Sequence, residues 1–90
     1  MKREEVYKLV DSERDYQDSL WMTRNEGEPS GEIHTLAEWI MFIESYLLEA
    51  KNILTRESYV TANPKVQNIM RKVAGLAVAA LEEWGAEPRK

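Results

Sequence analysis

The chain has 90 residues, of which 43% are hydrophobic and 31% are charged, and its formal net charge at pH 7 is −4. These values exclude a disordered segment and predict one small domain over residues 1–90. The absence of cysteine excludes disulfides and thiolate metal sites, and it favours a cytoplasmic protein.

The sequence also limits the classes of partner. No apolar run approaches the roughly 20 residues that span a bilayer, and the N-terminus lacks the apolar core of a signal peptide, so we expect no membrane partner. The net charge is −3 over residues 1–30, −3 over 31–60 and +2 over 61–90. Duplex nucleic acid requires a dense basic stripe, so it is not expected. A small phosphorylated ligand needs only about one to three cations.

The first helix is predicted over residues 2–25. Its apolar residues recur at helical spacing, and Glu13 interrupts the seam that they form. Asp11, Asp15 and Asp18 form an acidic stripe away from that seam, which we interpret as solvated surface. The predicted seam contains Val6, Leu9, Val10, Tyr16 and Leu20.

The second helix is predicted over residues 35–56. Thr35 and Glu38 make a T-x-x-E capping box, in which each side chain accepts a hydrogen bond from the other's backbone N–H. The apolar residues that follow cover an arc of roughly 160°, which is more than one neighbouring helix can cover. This helix is therefore predicted to be central in the domain or to form a homo-oligomer interface.

The third helix is predicted over residues 64–84. Asn63 is the expected N-cap, Pro64 occupies the first helical position, and Gly85 ends the helix. Its predicted core face contains Val66, Ile69, Met70, Val73, Leu76, Ala77, Ala80 and Trp84. Its opposite face contains Asn68, Arg71, Lys72, Gly75 and Ala79.

This opposite face has two interpretations. No carboxylate occurs between Asn63 and Leu81, so Arg71 and Lys72 could hold phosphate oxygens above the small residues. Alternatively, they form salt bridges with the acidic first and second helices, while Gly75 permits tight helix packing.

Other residues are weaker candidates for ligand contacts. Trp21 could stack on a base, although a core position is the simpler interpretation. His34 precedes a helix cap, where a packing or capping role is more common than catalysis. Arg14 and Arg89 are further cations, and the basic tail that contains Arg89 could form a lid.

Several segments resemble a known family. They are the run from Glu13 to Trp21 (ERDYQDSLW), then His34, a Glu-rich helix, and the run from Val73 to Glu82 (VAGLAVAALE). Together they resemble phage-encoded MazG-like proteins, which belong to the all-α nucleoside triphosphate pyrophosphohydrolases. The resemblance implies an all-α protein with a nucleotide site.

The chain departs from this family at its Mg²⁺ site. The family uses an E-x-x-E pair and then an E-x-x-D pair. Glu38 matches the first acid, but Met41 stands where its partner would be. Ile69 and Lys72 stand at the two positions where the second pair of acids would be. Since Mg²⁺ needs oxygen ligands, the resemblance implies a nucleotide pocket without turnover.

The sequence thus predicts an all-α, three-helix domain whose second and third helices are antiparallel, with the first packed across or beside them. The leading hypothesis is a homo-oligomer that binds a nucleotide without catalysis and without a cofactor. It would sequester a nucleotide signal as a phage anti-defence protein in the host cytoplasm. One alternative is a Mg²⁺-dependent pyrophosphohydrolase that uses Glu38, Glu44 or the first-helix aspartates. Another is a structural helical module that binds proteins. The expected ligand contacts are Asn68, Arg71, Lys72, Gly75, Arg14, Trp21, His34 and Arg89.

Overall fold

The computed structural model describes residues 1–22, 34–57 and 63–89, except that only the backbone is described for residues 21 and 22. These ranges hold three helices and no strand: α1 (Arg3–Met22), α2 (Leu36–Arg56) and α3 (Pro64–Trp84). The predicted all-α class with three helices is confirmed. The predicted end of the first helix, at residue 25, lies outside the described residues.

The capping box at the start of α2 is confirmed. The Thr35 hydroxyl oxygen accepts from the Glu38 backbone N–H at 3.1 Å, and Glu38 Oε1 accepts from the Thr35 N–H at 2.9 Å. Hydrogen bonding from the Thr35 backbone, and then from its side chain, lowers the pKa of the Glu38 carboxyl. The charged form of Glu38 is therefore the one that stabilises this helix terminus.

This depressed pKa predicts a pH-dependent effect of Glu38→Gln, which retains an acceptor for the cap but does not titrate. A carboxyl with a lowered pKa stabilises the fold above its unfolded pKa and loses that contribution as pH falls through the folded value. We expect Glu38→Gln to be less stable than the wild type at pH 7 and equally stable well below pH 4. Urea unfolding of both proteins at several pH values measures this difference. Two parallel pH profiles would contradict the prediction.

The ends of α3 also follow the prediction. The Asn63 side-chain oxygen accepts from the backbone N–H of Lys65 at 3.0 Å, and Pro64 stands at the first helical position. At the other end, the Gly85 N–H donates to the Leu81 carbonyl at 2.7 Å, with Gly85 at a φ of 71°. Glycine suits this positive φ because it has no Cβ.

The central helix is α3, which packs against both α2 and α1, while no contact joins α1 and α2 within the described ranges. Trp39 near the start of α2 bonds Glu83 near the end of α3, so these two helices are antiparallel as predicted. Of the two alternatives predicted for the second helix, the central position is therefore not the one observed within the described ranges, and the homo-oligomer interface stays a prediction. The hydrophobic core lies between α2 and α3 and contains Trp39, Leu76 and Ala79, with Ile43, Tyr46 and Ala80 packed around them.

The orientation of α1 differs from the prediction. Its apolar side chains Val6, Leu9, Tyr16 and Leu20 are exposed, so the predicted core seam of the first helix is wrong. Three polar residues that interrupt or flank that seam are buried instead: Glu13, Arg14 and Gln17. Each of them can be buried because it has a hydrogen-bonding partner. Two predicted core residues of α3, Met70 and Trp84, are also exposed.

None of the helices in the described ranges combines the length and the apolar character that crossing a membrane requires.

Candidate functional site

The contact between α1 and α3 is polar, and we call it the polar seam: Glu13, Arg14 and Gln17 of α1 with Arg71, Gly75 and Glu82 of α3. Glu13 Oε1 accepts from Arg71 Nε at 2.8 Å, and Glu13 Oε2 accepts from Gln17 Nε2 at 3.0 Å. The salt bridge predicted for Arg71 with the acidic first helix is therefore present.

Arg14 is the most heavily bonded cation of the polar seam. It donates to Glu82 at 2.8 Å, to Asp18 at 2.7 Å and to Gln17 at 3.0 Å. Burial acts to lower the pKa of Arg14, but the hydrogen bonds and charges of Glu82 and Asp18 outweigh it, so the pKa is raised overall. This guanidinium is thus used to hold α1 against α3.

Gly75 permits the close approach of the two helices. A Cβ at this position would lie 2.9 Å from Gln17 Nε2 and 2.9 Å from Glu13 Cγ. A methyl group would therefore displace buried, hydrogen-bonded side chains. The tight packing that the sequence predicted at Gly75 is confirmed, with α1 as the neighbour.

Lys72 lies where α3 meets both neighbouring helices. Its carbonyl accepts from Gln17 of α1 at 3.4 Å, and its ammonium Nζ stands 5.5 Å from the ring centroid of Tyr46 of α2, within cation–π range. The side chain is only partly exposed. Within the described part of the chain, no carboxylate lies within ion-pair distance of this ammonium. Lys72 therefore carries a positive charge that the described carboxylates do not neutralise by contact.

His34 belongs to an aromatic cluster at the far end of the α2–α3 pair. Its ring meets Trp39 and Phe42 edge-on, each at 5.2 Å between centroids. Its carbonyl accepts from Trp84 Nε1 at 2.8 Å. Nδ1 of the imidazole is 3.7 Å from Glu38 Oε2. These contacts give His34 a packing role between the two helices.

The remaining predicted site residues are dispersed. Asn68 is exposed and accepts from Arg71 at 3.0 Å, while Arg89 is exposed beyond the end of α3. Trp21 falls in the last turn of α1, but its side chain lies outside the described part of the structure. The structure thus brings Arg14, Asn68, Arg71 and Gly75 together at or beside the polar seam, with Lys72 next to them and His34 elsewhere.

The two acids of the enzyme alternative do not share a helix face. Glu38 and Glu44 are six residues apart, which places them about 120° from each other around α2. Glu38 Oε1 already accepts the Thr35 N–H, whereas Glu44 is exposed. In the three described ranges, no three His, Asp or Glu residues are grouped as a metal site would require.

Sequence reasoning missed several residues of this region. Gln17 is buried and accepts a hydrogen bond from Arg14, and Glu13 is buried and accepts one from Arg71. Tyr46 faces Lys72. The signal for the first two was the i, i+4 spacing of Glu13 and Gln17, which puts both on one face of α1. Glu83 was also missed. It accepts a hydrogen bond from the Trp39 indole N–H at 2.6 Å, and no spacing in the sequence indicates this contact.

A groove of about 340 Å³ lies on another face of α2, away from the predicted ligand contacts. It is lined by Ser45, Leu48, Glu49, Asn52, Ile53 and Arg56.

Comparison of the chain with protein-family models, with curated proteins and with solved structures gives no match.

Proposed function

We propose that this protein is a non-catalytic nucleotide-binding homo-oligomer, in which Lys72 is the principal contact for the phosphate of the ligand. The observation that carries the proposal is the ammonium of Lys72, which stands over the Tyr46 ring without a carboxylate partner in the described ranges. A phosphate oxygen is a stronger partner for an ammonium than an aromatic face is. The resemblance to MazG-like proteins favours a nucleotide over other phosphorylated molecules.

Three other cations of α1 and α3, namely Arg14, Lys65 and Arg71, already have hydrogen-bonding or ion-pair partners. Arg14 is buried and bonded to two carboxylates, and Lys65 pairs with Glu57 at 2.5 Å. Arg71 is about one-third exposed and uses Nε and Nη1 on Glu13 and Asn68. It can therefore contribute a secondary contact to a ligand held by Lys72, at the edge of the polar seam.

The homo-oligomer in this proposal is supported by the amount of exposed apolar surface. Exposed large apolar side chains occur on all three helices, among them Leu20, Met41, Leu48 and Leu81. Contact with further copies would remove such surface from water.

The role that follows is retention of a nucleotide, and a phage could use it to sequester a host nucleotide signal. A thermal-shift screen with nucleoside mono- and triphosphates and cyclic dinucleotides, in EDTA and again in Mg²⁺, tests this role. A rise in melting temperature in EDTA supports it. Release of pyrophosphate only in Mg²⁺ would favour the hydrolase instead, and no shift with any nucleotide would favour the protein-binding module.

We expect Lys72→Ala to weaken binding of the responding nucleotide about tenfold or more, because it removes the charge that faces the phosphate. Isothermal titration calorimetry in EDTA gives the dissociation constants. The matched control is Lys8→Ala, which removes an exposed lysine of α1 and should leave affinity unchanged. Equal affinity for the wild type and Lys72→Ala would contradict the assigned phosphate contact.

A further inference from the structure

One face of α2 is apolar and is covered by neither of its described neighbours. We call it the outer α2 face: Ile40, Met41, Glu44, Leu47, Leu48 and Lys51. Its four apolar side chains are exposed, with Met41 the most exposed at 63% and Leu47 the least at 39%. Trp39, Ile43 and Tyr46 occupy the side of α2 that meets α3, and no contact joins α1 to α2 in the described ranges.

Two opposite charges lie on this same face. Glu44 and Lys51 are seven residues apart, which is two helical turns, so they project to nearly the same side. Neither forms an ion pair with any residue of the described ranges. The midpoint between them falls between Leu47 and Leu48. The outer α2 face therefore has an apolar centre with one acid on one side and one base on the other.

We propose that two copies of this chain pair through the outer α2 face, with their α2 helices antiparallel and a two-fold axis passing between Leu47 and Leu48. This arrangement places Glu44 of each copy opposite Lys51 of its partner, so that two equivalent ion pairs flank a leucine centre.

The charge pattern selects a second copy of the chain as the occupant. A two-fold contact uses the same surface patch on both subunits, so the patch must complement itself when it is reversed. The outer α2 face meets this condition because acid and base exchange places on reversal. A parallel pairing in register would instead set Glu44 against Glu44, and like charges across an interface are unfavourable.

This pairing gives the proposed homo-oligomer one defined subunit contact and does not involve Lys72. Loss of nucleotide binding would leave the pairing intact, and loss of the pairing can be measured without a nucleotide. Nucleotide binding at Lys72 and the pairing can therefore fail separately.

Charge reversal tests the pairing. Glu44→Lys and Lys51→Glu each replace two attractive contacts with two repulsive ones, so each should weaken dimer formation about tenfold or more in sedimentation equilibrium at low salt. The double variant E44K/K51E restores both attractions and should recover the wild-type dissociation constant to within about threefold. The matched control is Glu49→Lys, which makes the same substitution away from this face. A wild type that sediments as a monomer, or a double variant as weak as the singles, would overturn the proposal.

Cysteine cross-linking tests the position of the axis, since the natural chain has no cysteine. In Leu48→Cys the two thiols lie near the axis, and mild oxidation should yield a disulfide-linked dimer as the main product. Val78→Cys, on an exposed position of α3, should remain largely uncoupled under the same conditions. Equal cross-linking of both variants would indicate random collisions and would contradict the proposed axis.

Discussion

Trp39→Ala is expected to destabilise the fold by about 3–5 kcal/mol, the cost typical of removing a large aromatic side chain from a core. Trp39 is 4% exposed and packs with Leu76 and Ala79, which are among the few buried apolar residues of the described ranges. The substitution also leaves Glu83 without the indole N–H that it accepts at 2.6 Å. Because small domains are only marginally stable, we expect the variant to be largely unfolded in circular dichroism at 25 °C.

Two further variants separate the packing of Trp39 from its hydrogen bond. Trp39→Phe keeps an aromatic ring in the core but cannot donate to Glu83, so it should cost about 1–2 kcal/mol. Trp84→Ala is the comparison variant: Trp84 is half exposed and donates one hydrogen bond to the His34 carbonyl, so its loss should cost less, about 1–2 kcal/mol, in the same urea titration. Equal losses for Trp39→Ala and Trp84→Ala would show that the core is not centred on Trp39.

The bounds and caps of α2 and α3 could be predicted because they depend on local chemistry. The hydroxyl of Thr35 and the amide of Asn63 satisfy backbone N–H groups within three residues, and Gly85 tolerates the positive φ that ends α3. The same applies to the antiparallel α2–α3 pair, whose short connection and facing apolar stripes favour that arrangement.

The orientation of α1 could not be predicted in this way. Periodicity assumes that the apolar stripe faces the core, but α1 turns Glu13, Arg14 and Gln17 towards α3 and leaves Leu9 and Leu20 exposed. The orientation of α1 depends on partners that are distant in sequence, such as Arg71 for Glu13 and Glu82 for Arg14. An isolated sequence gives no rule for pairing such charges.

The candidate site was predictable only in part for the same reason. The face of α3 that bears Arg71, Lys72 and Gly75 was identified from spacing alone. Which cation remains open to a ligand depends on the neighbouring helices: α1 supplies a carboxylate to Arg71, whereas α2 supplies only the ring of Tyr46 to Lys72. The distinction between a structural and a binding cation thus arises from tertiary contacts.

Arg71→Met is expected to cost about 2–3 kcal/mol, because it leaves the buried Glu13 carboxylate with the Gln17 amide as its described side-chain partner. The cost should be at the lower end of the range for buried pairs, since the Arg71 side chain is 31% exposed. Urea unfolding at pH 7 of the variant and of the wild type measures this loss.

A double-mutant cycle with Glu13→Gln isolates this pair. Glutamine keeps the shape of the side chain and removes its charge, so E13Q/R71M should be more stable than the sum of the single losses predicts, by about 1–2 kcal/mol. The pair would then be structural, and the double variant, which retains Lys72, should bind the nucleotide more tightly than Lys72→Ala does. If the single losses add, Arg71 does not stabilise Glu13. In that case the partly exposed guanidinium of Arg71, in addition to Lys72, becomes the phosphate contact to test next.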